Sequence, residues 1–261
     1  MNKTILSSKQ SDLLEKLIGK YGQIVTFDQI YQEADGLWDY RQTKNLVTKL
    51  VKNGWLIRIK RGLYAISDLS SRGFLTLSPY VIANRLAPDS YVSFEAALQQ
   101  YGMFDQMIGK MISISLSQHK STQLAGLEYS FIKTKPEYFY GWKEVQVGAQ
   151  TARVATPEKA LVDMINFHKS AYSIDLVIEK LVSYKSDLDM AQLNDFIGRF
   201  PVVTIKIFGL IFDLLGLDSI SLNRLIKHGG THWMLPGNTK FNAKWRLYYP
   251  EDFDKYRTYQ P

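Results

Sequence analysis

The sequence has no cysteine among its 261 residues, which excludes disulfides, Cys-ligated zinc, iron–sulfur clusters and thiol nucleophiles together. That absence is compatible with a reducing compartment. Internal repeats and low-complexity tracts are also missing. The most apolar run, Val202 to Leu217, is interrupted by Lys206 and Asp213. It falls short of the roughly 20 residues that a membrane helix needs, so it predicts a buried core helix. Met1 to Gln10 lack the apolar stretch and small-residue cleavage site of a secretory leader. A soluble, cytoplasmic protein with no membrane partner is expected.

Acidic residues are scarce in two short stretches. The formal charge is +7, from 32 Lys+Arg and 25 Asp+Glu. Between Trp38 and Leu63 seven basic residues stand against Asp39 alone, a local charge of +6. Between Ser219 and Tyr249 five basic residues meet no acid, a local charge of +5. The remainder is slightly acidic. Basicity held in two places points to localised anionic partners rather than a solubilising coat.

With 46% hydrophobic and 22% charged residues, the chain can build a packed core, which excludes global disorder. Its length suits one large or two smaller domains. Leu13, Leu14, Leu17 and Ile18 have helical spacing, and Gly19 or Gly22 would end that helix. Thr26 can cap a short second helix that Gly36 closes. Asp39 can cap a third from Tyr40 to Lys52, with Gly54 just beyond. Trp55 to Ile66 then reads as a β-hairpin turning at Arg61-Gly62. Three helices and a hairpin are the order of a winged helix-turn-helix, assigned to residues 1–68.

Asp68 to Gly73 is polar and Gly/Ser-containing, so residues 69–75 read as a linker and 76–261 as a larger mixed domain, with a further division open near 170. Helices are predicted at Pro79–Leu86, Ser93–Tyr101, Ile174–Tyr184, Met190–Arg199 and Pro201–Leu215. Another opens at Thr156-Pro157-Glu158, with Thr as N-cap and Pro at the first helical position. Met111 to Leu116 alternates as a half-buried strand does. Further strands are expected around Leu127–Thr134, Glu144–Val147, Ala152–Ala155 and Lys244–Tyr249. The fold class is α+β: an N-terminal winged helix-turn-helix followed by a larger mixed α+β domain.

On the third helix, Leu46, Val47, Leu50 and Val51 share one arc and predict the core face. Arg41, Asn45, Thr48 and Lys52 take the opposite arc, flanked by Lys44 and Lys49. Arg and Asn can make paired hydrogen bonds to guanine and adenine edges, so Arg41, Asn45 and Thr48 are candidates for base contact. Lys44, Lys49 and Lys52 suit phosphates. In the hairpin, Arg58, Lys60 and Arg61 suit a wing on the DNA backbone or in the minor groove. The competing reading is a solvated basic surface, or a protein-interaction module.

Three segments carry a family resemblance. Lys60-Arg-Gly-Leu-Tyr-Ala-Ile follows a compact helical unit. Ser90-Tyr-Val-Ser-Phe-Glu-Ala-Ala-Leu-Gln-Gln-Tyr-Gly and Ala155-Thr-Pro-Glu-Lys-Ala-Leu-Val-Asp follow in order. Together they resemble the AbiEi family of type IV antitoxins, over about residues 10–170. Phe94 and Glu95 depart from the family pattern, and no role is carried onto them. The resemblance implies a non-enzymatic DNA-binding antitoxin: a winged-helix regulator repressing its own operon through double-stranded operator DNA, and a C-terminal domain counteracting a nucleotidyltransferase-like toxin in phage defence. A free-standing winged-helix regulator with a ligand- or protein-sensing second domain is the alternative.

No cofactor is implied, and an enzyme has little support. His228-Gly-Gly-Thr-His232 has two glycines between its histidines and no carboxylate nearby, so it reads as a polar loop rather than a metal site. Ser117-Gln-His-Lys120 fits a Ser-x-x-Lys pattern without the motifs that support one. Gly102 to Lys110 misses phosphate-loop spacing, and Met111 stands where a magnesium-binding hydroxyl belongs. Glu158 and Asp163 lie about 140° apart on their helix and do not converge. Tyr138, Phe139, Tyr140 and Trp142 read as packing more readily than as a stacking surface. In the second basic stretch, Arg224, Lys227, Lys240, Lys244 and Arg246 alternate with Trp233, Phe241, Trp245 and Tyr248. This suits a nucleic acid, an acidic protein surface, or a basic exterior over an aromatic core.

Overall fold

The computed structural model describes residues 6–67, 77–148, 150–226 and 230–259, with side chains through Tyr256 in the last segment. The linker expected at 69–75 lies outside the described residues, as do Lys227 and His228. Helix α1 (Ser8–Tyr21) buries Leu13, Leu14 and Leu17, and Gly22 ends it at φ 76°, a conformation that favours glycine. Strand β1 (Ile24–Thr26) leads into α2 (Phe27–Glu33), where the Thr26 hydroxyl accepts from Gln29 N–H. Helix α3 (Tyr40–Lys52) starts at a reciprocal cap. The Asp39 carboxylate accepts from Gln42 N–H at 2.7 Å, and the Gln42 side chain accepts from Asp39 N–H at 3.0 Å. Strands β2 (Leu56–Lys60) and β3 (Leu63–Ile66) form the hairpin, with Gly62 at φ 76° in its two-residue turn. The small sheet runs β1-β3-β2, all antiparallel. As the spacing predicts, Leu46, Val47 and Leu50 are buried and Val51 is half-buried. Strand β1 is too short to show a period of its own, and sequence reading passed over it.

Helix α4 (Pro79–Leu86) follows, then β4 (Ser90–Val92), α5 (Phe94–Gln100), β5 (Lys110–Ser115), β6 (Thr122–Leu124) and β7 (Leu127–Lys133). A 3-10 turn at Pro136–Tyr138 precedes β8 (Trp142–Val147) and β9 (Gln150–Ala155). These strands make one mixed sheet in the order β6-β7-β5-β4-β9-β8, with β5 parallel to β7 and β4 parallel to β9. The alternation in β5 predicts a half-buried strand, but both its faces are covered. Ser113 and Ser115 are fully buried: β5 sits inside the sheet between β4 and β7, and α4 and α5 pack against it. Helix α6 (Pro157–Phe167) opens on the expected Thr156 cap. Glu158, in the first turn of α6, is buried, and its carboxylate accepts from Asp189 N–H at 2.9 Å.

Helices α7 (Ala171–Ser183), α8 (Met190–Gly198), α9 (Val202–Leu214) and α10 (Ile220–Leu225) complete the helical side. α9 is the predicted core helix, buried nearly all round. A second small sheet joins β10 (His232–Trp233), β11 (Lys240–Asn242) and β12 (Leu247–Tyr249) in the order β10-β12-β11. The strand expected from Lys244 begins only at Leu247. Asn242 Oδ1 turns the chain by accepting from Trp245 N–H, and Arg246 takes a positive φ of 47°. A 3-10 segment, Glu251–Tyr259, ends the description.

One apolar core runs from Val81 to Phe253, without a break near 170. It also takes in Ile59 and Ala65 of the wing hairpin, with Ile24, Ile57 and Leu63 packed against it. The outer face of the winged helix's sheet is therefore docked on the larger domain. At its heart, the two downstream motif segments meet. Lys159 and Asp163, one helical turn apart on α6, form a fully buried ion pair. Ser93 Oγ and Tyr91 OH donate to Asp163 Oδ2 at 2.8 and 3.1 Å. The Lys159 ammonium lies 4.8–5.4 Å from the ring centroids of Phe200, Tyr140 and Tyr91. Burial lowers the Lys159 pKa and raises those of Asp163 and Tyr91. Because the Ser93 hydroxyl serves Asp163, it does not cap α5, and Phe94 begins that helix at φ 59° while fully buried. Tyr138 stacks on Phe200 at 4.8 Å, so the Tyr138–Trp142 aromatics act as packing around this cluster.

Candidate nucleic-acid interface

The helix-turn-helix pair α2–α3 and the hairpin leave a cleft of about 410 Å³ between them. Phe27, Asp28, Tyr40, Lys44, Thr48, Arg58, Arg61 and Tyr64 line it. The packing of α3 dictates this arrangement. With Leu46, Val47 and Leu50 turned inward, Arg41, Lys44, Asn45, Thr48, Lys49 and Lys52 are all exposed. Arg58 faces the cleft because strand alternation sends its neighbours Ile57 and Ile59 toward the larger domain.

The charge is mainly positive, with Asp28 the one acid among the described residues that line the cleft. Among the described residues, Arg41, Lys44, Lys49, Lys52, Arg58 and Arg61 enter no ion pair, although the protein forms ion pairs elsewhere. Lys44 instead lies 5.6 Å from the Tyr40 ring centroid. Thr48 is partly engaged, its hydroxyl donating to Lys44 C=O at 2.9 Å. Lys60 stands apart from the other hairpin cations. Its ammonium donates to the C=O groups of Arg85 and Leu86 at 2.9 and 3.1 Å, satisfying the end of α4. Such an arrangement can hold phosphates along α3 and the wing and present Arg41 and Asn45 to base edges.

Tyr40 is a residue that sequence reading missed as part of the site. It opens α3, is 52% exposed, and is held edge-on by Phe27 at 5.5 Å and Tyr31 at 5.4 Å. The available signal was its position directly after the capping Asp39, since the start of such a helix is what reaches into a groove.

The second basic stretch is not a uniform surface. Lys240 pairs with Asp254, and Lys244 with Asp213 at 2.7 Å. Trp245 is fully buried, donating from Nε1 to Asp213. Arg224 and Arg246 are exposed without an ion pair among the described residues. His232 contacts the Lys206 ammonium at 3.1 Å, and among the described residues no group of three or more His, Asp or Glu gathers as a metal site.

The N-terminal unit thus defines a winged helix-turn-helix of the DNA-binding regulator class. Residues 12–67 match the family described as "Transcriptional regulator, AbiEi antitoxin", which bears out the resemblance for that unit. The other two resembling segments, at 90–102 and 155–163, lie outside the matched span. No curated protein matches the chain. The whole fold is similar to the crystal structure of the RV2827C protein from Mycobacterium tuberculosis, with a TM-score of 0.68 and 14% identity. That likeness covers 93% of this chain and 92% of the mycobacterial one. Among the described residues, no helix is long and apolar enough to cross a membrane.

Proposed function

We propose that this protein is the DNA-binding antitoxin of a type IV toxin–antitoxin pair. Its winged helix represses its own operon, and its larger domain counteracts a nucleotidyltransferase-like toxin in the cytoplasm, in the service of phage defence. The observation that carries the DNA reading is the set of six cations on α3 and the wing that form no ion pair among the described residues, three of which (Lys44, Arg58 and Arg61) line the cleft. Arg41 and Asn45 contact bases; Lys44, Lys49, Lys52, Arg58 and Arg61 contact phosphates. Operator affinity then falls steeply with salt, as counterion release requires. Gel-shift titration of the upstream DNA tests this: Arg41→Ala with Asn45→Ala removes sequence preference, and Arg58→Ala with Arg61→Ala weakens all duplexes alike. Affinity that stays flat from low to physiological salt rules the reading out.

The antitoxin role is tested by co-expressing the full chain with the neighbouring gene and scoring growth. Rescue by a variant that no longer binds the operator separates neutralisation from repression. A groove of about 380 Å³ beside α7, lined by Phe104, Tyr172, Leu176, Glu179 and Val182, favours the second reading, a free-standing regulator whose larger domain senses a ligand or protein. Absence of growth rescue, with operator binding intact, selects it.

A further inference from the structure

We propose that the outer face of the β10-β12-β11 sheet is a stacking platform for single-stranded nucleic acid, distinct from the duplex site on the winged helix. Register brings three aromatic residues into one row. Tyr248 on the central strand pairs with Trp233 on one side and Phe241 on the other. The Trp233 and Tyr248 rings stack at 5.1 Å and 14°, and Phe241 lies 5.0 Å from Tyr248. The two outer rings are far from buried: Trp233 is 50% exposed and Phe241 46%. The opposite face of the same sheet, carrying Leu247 and Tyr249, belongs to the core. The aromatic row is therefore not needed to close the fold.

Beside the row, the charges that form no ion pair among the described residues include Lys206, Arg246 and Lys169. Lys206 on α9 is fully buried, yet its ammonium meets only Gly230 C=O at 2.5 Å and His232 Nδ1 at 3.1 Å, with no carboxylate among the described residues. Burial lowers its pKa, and the charge of Arg246 lowers it further. Arg246 is exposed and precedes Tyr248 by two residues. Lys169 donates to Trp233 C=O at 3.4 Å, bringing a third cation to the exposed end of the row. The acids of this region are engaged elsewhere: Asp254 by Lys240, Asp213 by Lys244, Glu251 by Thr239.

Two exposed rings flanking the half-buried Tyr248, beside the exposed cations Arg246 and Lys169, match a chain that alternates flat apolar bases with phosphates. An acidic peptide would answer the cations but leave the rings bare. A duplex would answer the cations but offers no free base faces. Stacking is indifferent to base identity, so the platform binds with little sequence preference.

The test uses the full chain and a fluorescein-labelled oligo(dT) of about 12 nucleotides, within the usual span of such sites, read by polarisation. Trp233→Ala, a surface change, is expected to weaken oligo(dT) binding about tenfold while operator duplex affinity stays the same. Trp233→Phe retains most of the binding. Arg41→Ala with Asn45→Ala gives the reverse pattern. The proposal is overturned by undetectable oligo(dT) binding, by binding that Trp233→Ala leaves unchanged, or by loss on the Arg41/Asn45 change. It is likewise overturned if polyglutamate of equal charge competes as well as unlabelled oligo(dT), which assigns the face to an acidic protein.

Discussion

Removing one member of the Lys159–Asp163 pair is the sharpest perturbation of the larger domain. Both side chains are fully buried, and Asp163 also accepts from Ser93 and Tyr91. Lys159→Met keeps most of the unbranched apolar stem and deletes the charge, leaving a carboxylate with two hydroxyl donors and no cation. An unpaired buried charge costs about 3–5 kcal/mol. Asp163→Asn retains an oxygen for the two hydroxyls and strands the ammonium among Phe200, Tyr140 and Tyr91, at a similar cost. The double variant removes both charges while preserving the acceptor. It should therefore be more stable than either single variant, by about 2 kcal/mol. For a chain of this size each kcal/mol moves Tm by about 2–4 °C, so each single change lowers it by about 6–20 °C. Urea and thermal melts followed by circular dichroism measure all four corners of the cycle. Strict additivity, with the double variant the least stable, would refute the idea that the charges matter as a pair.

Other perturbations test separate parts of the fold. Gly209→Ala would set its Cβ 2.2 Å from the buried Trp245 ring, so a loss of about 3 kcal/mol is expected in urea titration. A loss under about 0.5 kcal/mol would mean that Trp245 is not held by its bond to Asp213. Lys60→Met keeps the apolar stem and removes the cap on α4, costing about 1 kcal/mol of stability with less effect on DNA affinity than Arg58→Ala. Partial burial raises the pKa of Asp89, but hydrogen bonds from Ser117 and His119 outweigh this and hold it below its ordinary value. A carboxylate with a depressed folded pKa stabilises above the unfolded value, and that contribution is lost as pH falls through the folded one. The stability gap between the native chain and Asp89→Asn should thus be wider near about pH 6 than near about pH 3; a gap that grows on acidification contradicts the assignment.

Elements with strong local signals were readable without coordinates. α3 carries its own start in Asp39 and Gln42 and its own inward face in Leu46, Val47 and Leu50, so its exposed cations followed directly. The Thr156-Pro157 start of α6 was equally local. What stayed hidden depends on residues far apart in the chain. Lys60 looks like any other wing cation until α4, 25 residues away, supplies carbonyls to hold it. The Asp163 cluster needs Tyr91 and Ser93, 72 and 70 residues upstream, although both segments carry motifs of their own. The second basic stretch divides into paired and unpaired cations only when Asp213 and Asp254 are brought beside it.

The wing hairpin has two faces and both are occupied: Arg58 and Arg61 look into the cleft, while Ile57, Ile59, Ala65 and the Lys60 ammonium grip the larger domain. With strands of five and four residues joined by a two-residue turn, the ribbon has little slack to absorb a shift on one side. Any ligand of the larger domain that tilts α4 must re-aim the wing. If the winged helix binds DNA as proposed, thermodynamic reciprocity requires that the DNA alter such a ligand's affinity by the same factor. The hairpin is in this sense a shared axle between the α3 cleft and the larger domain.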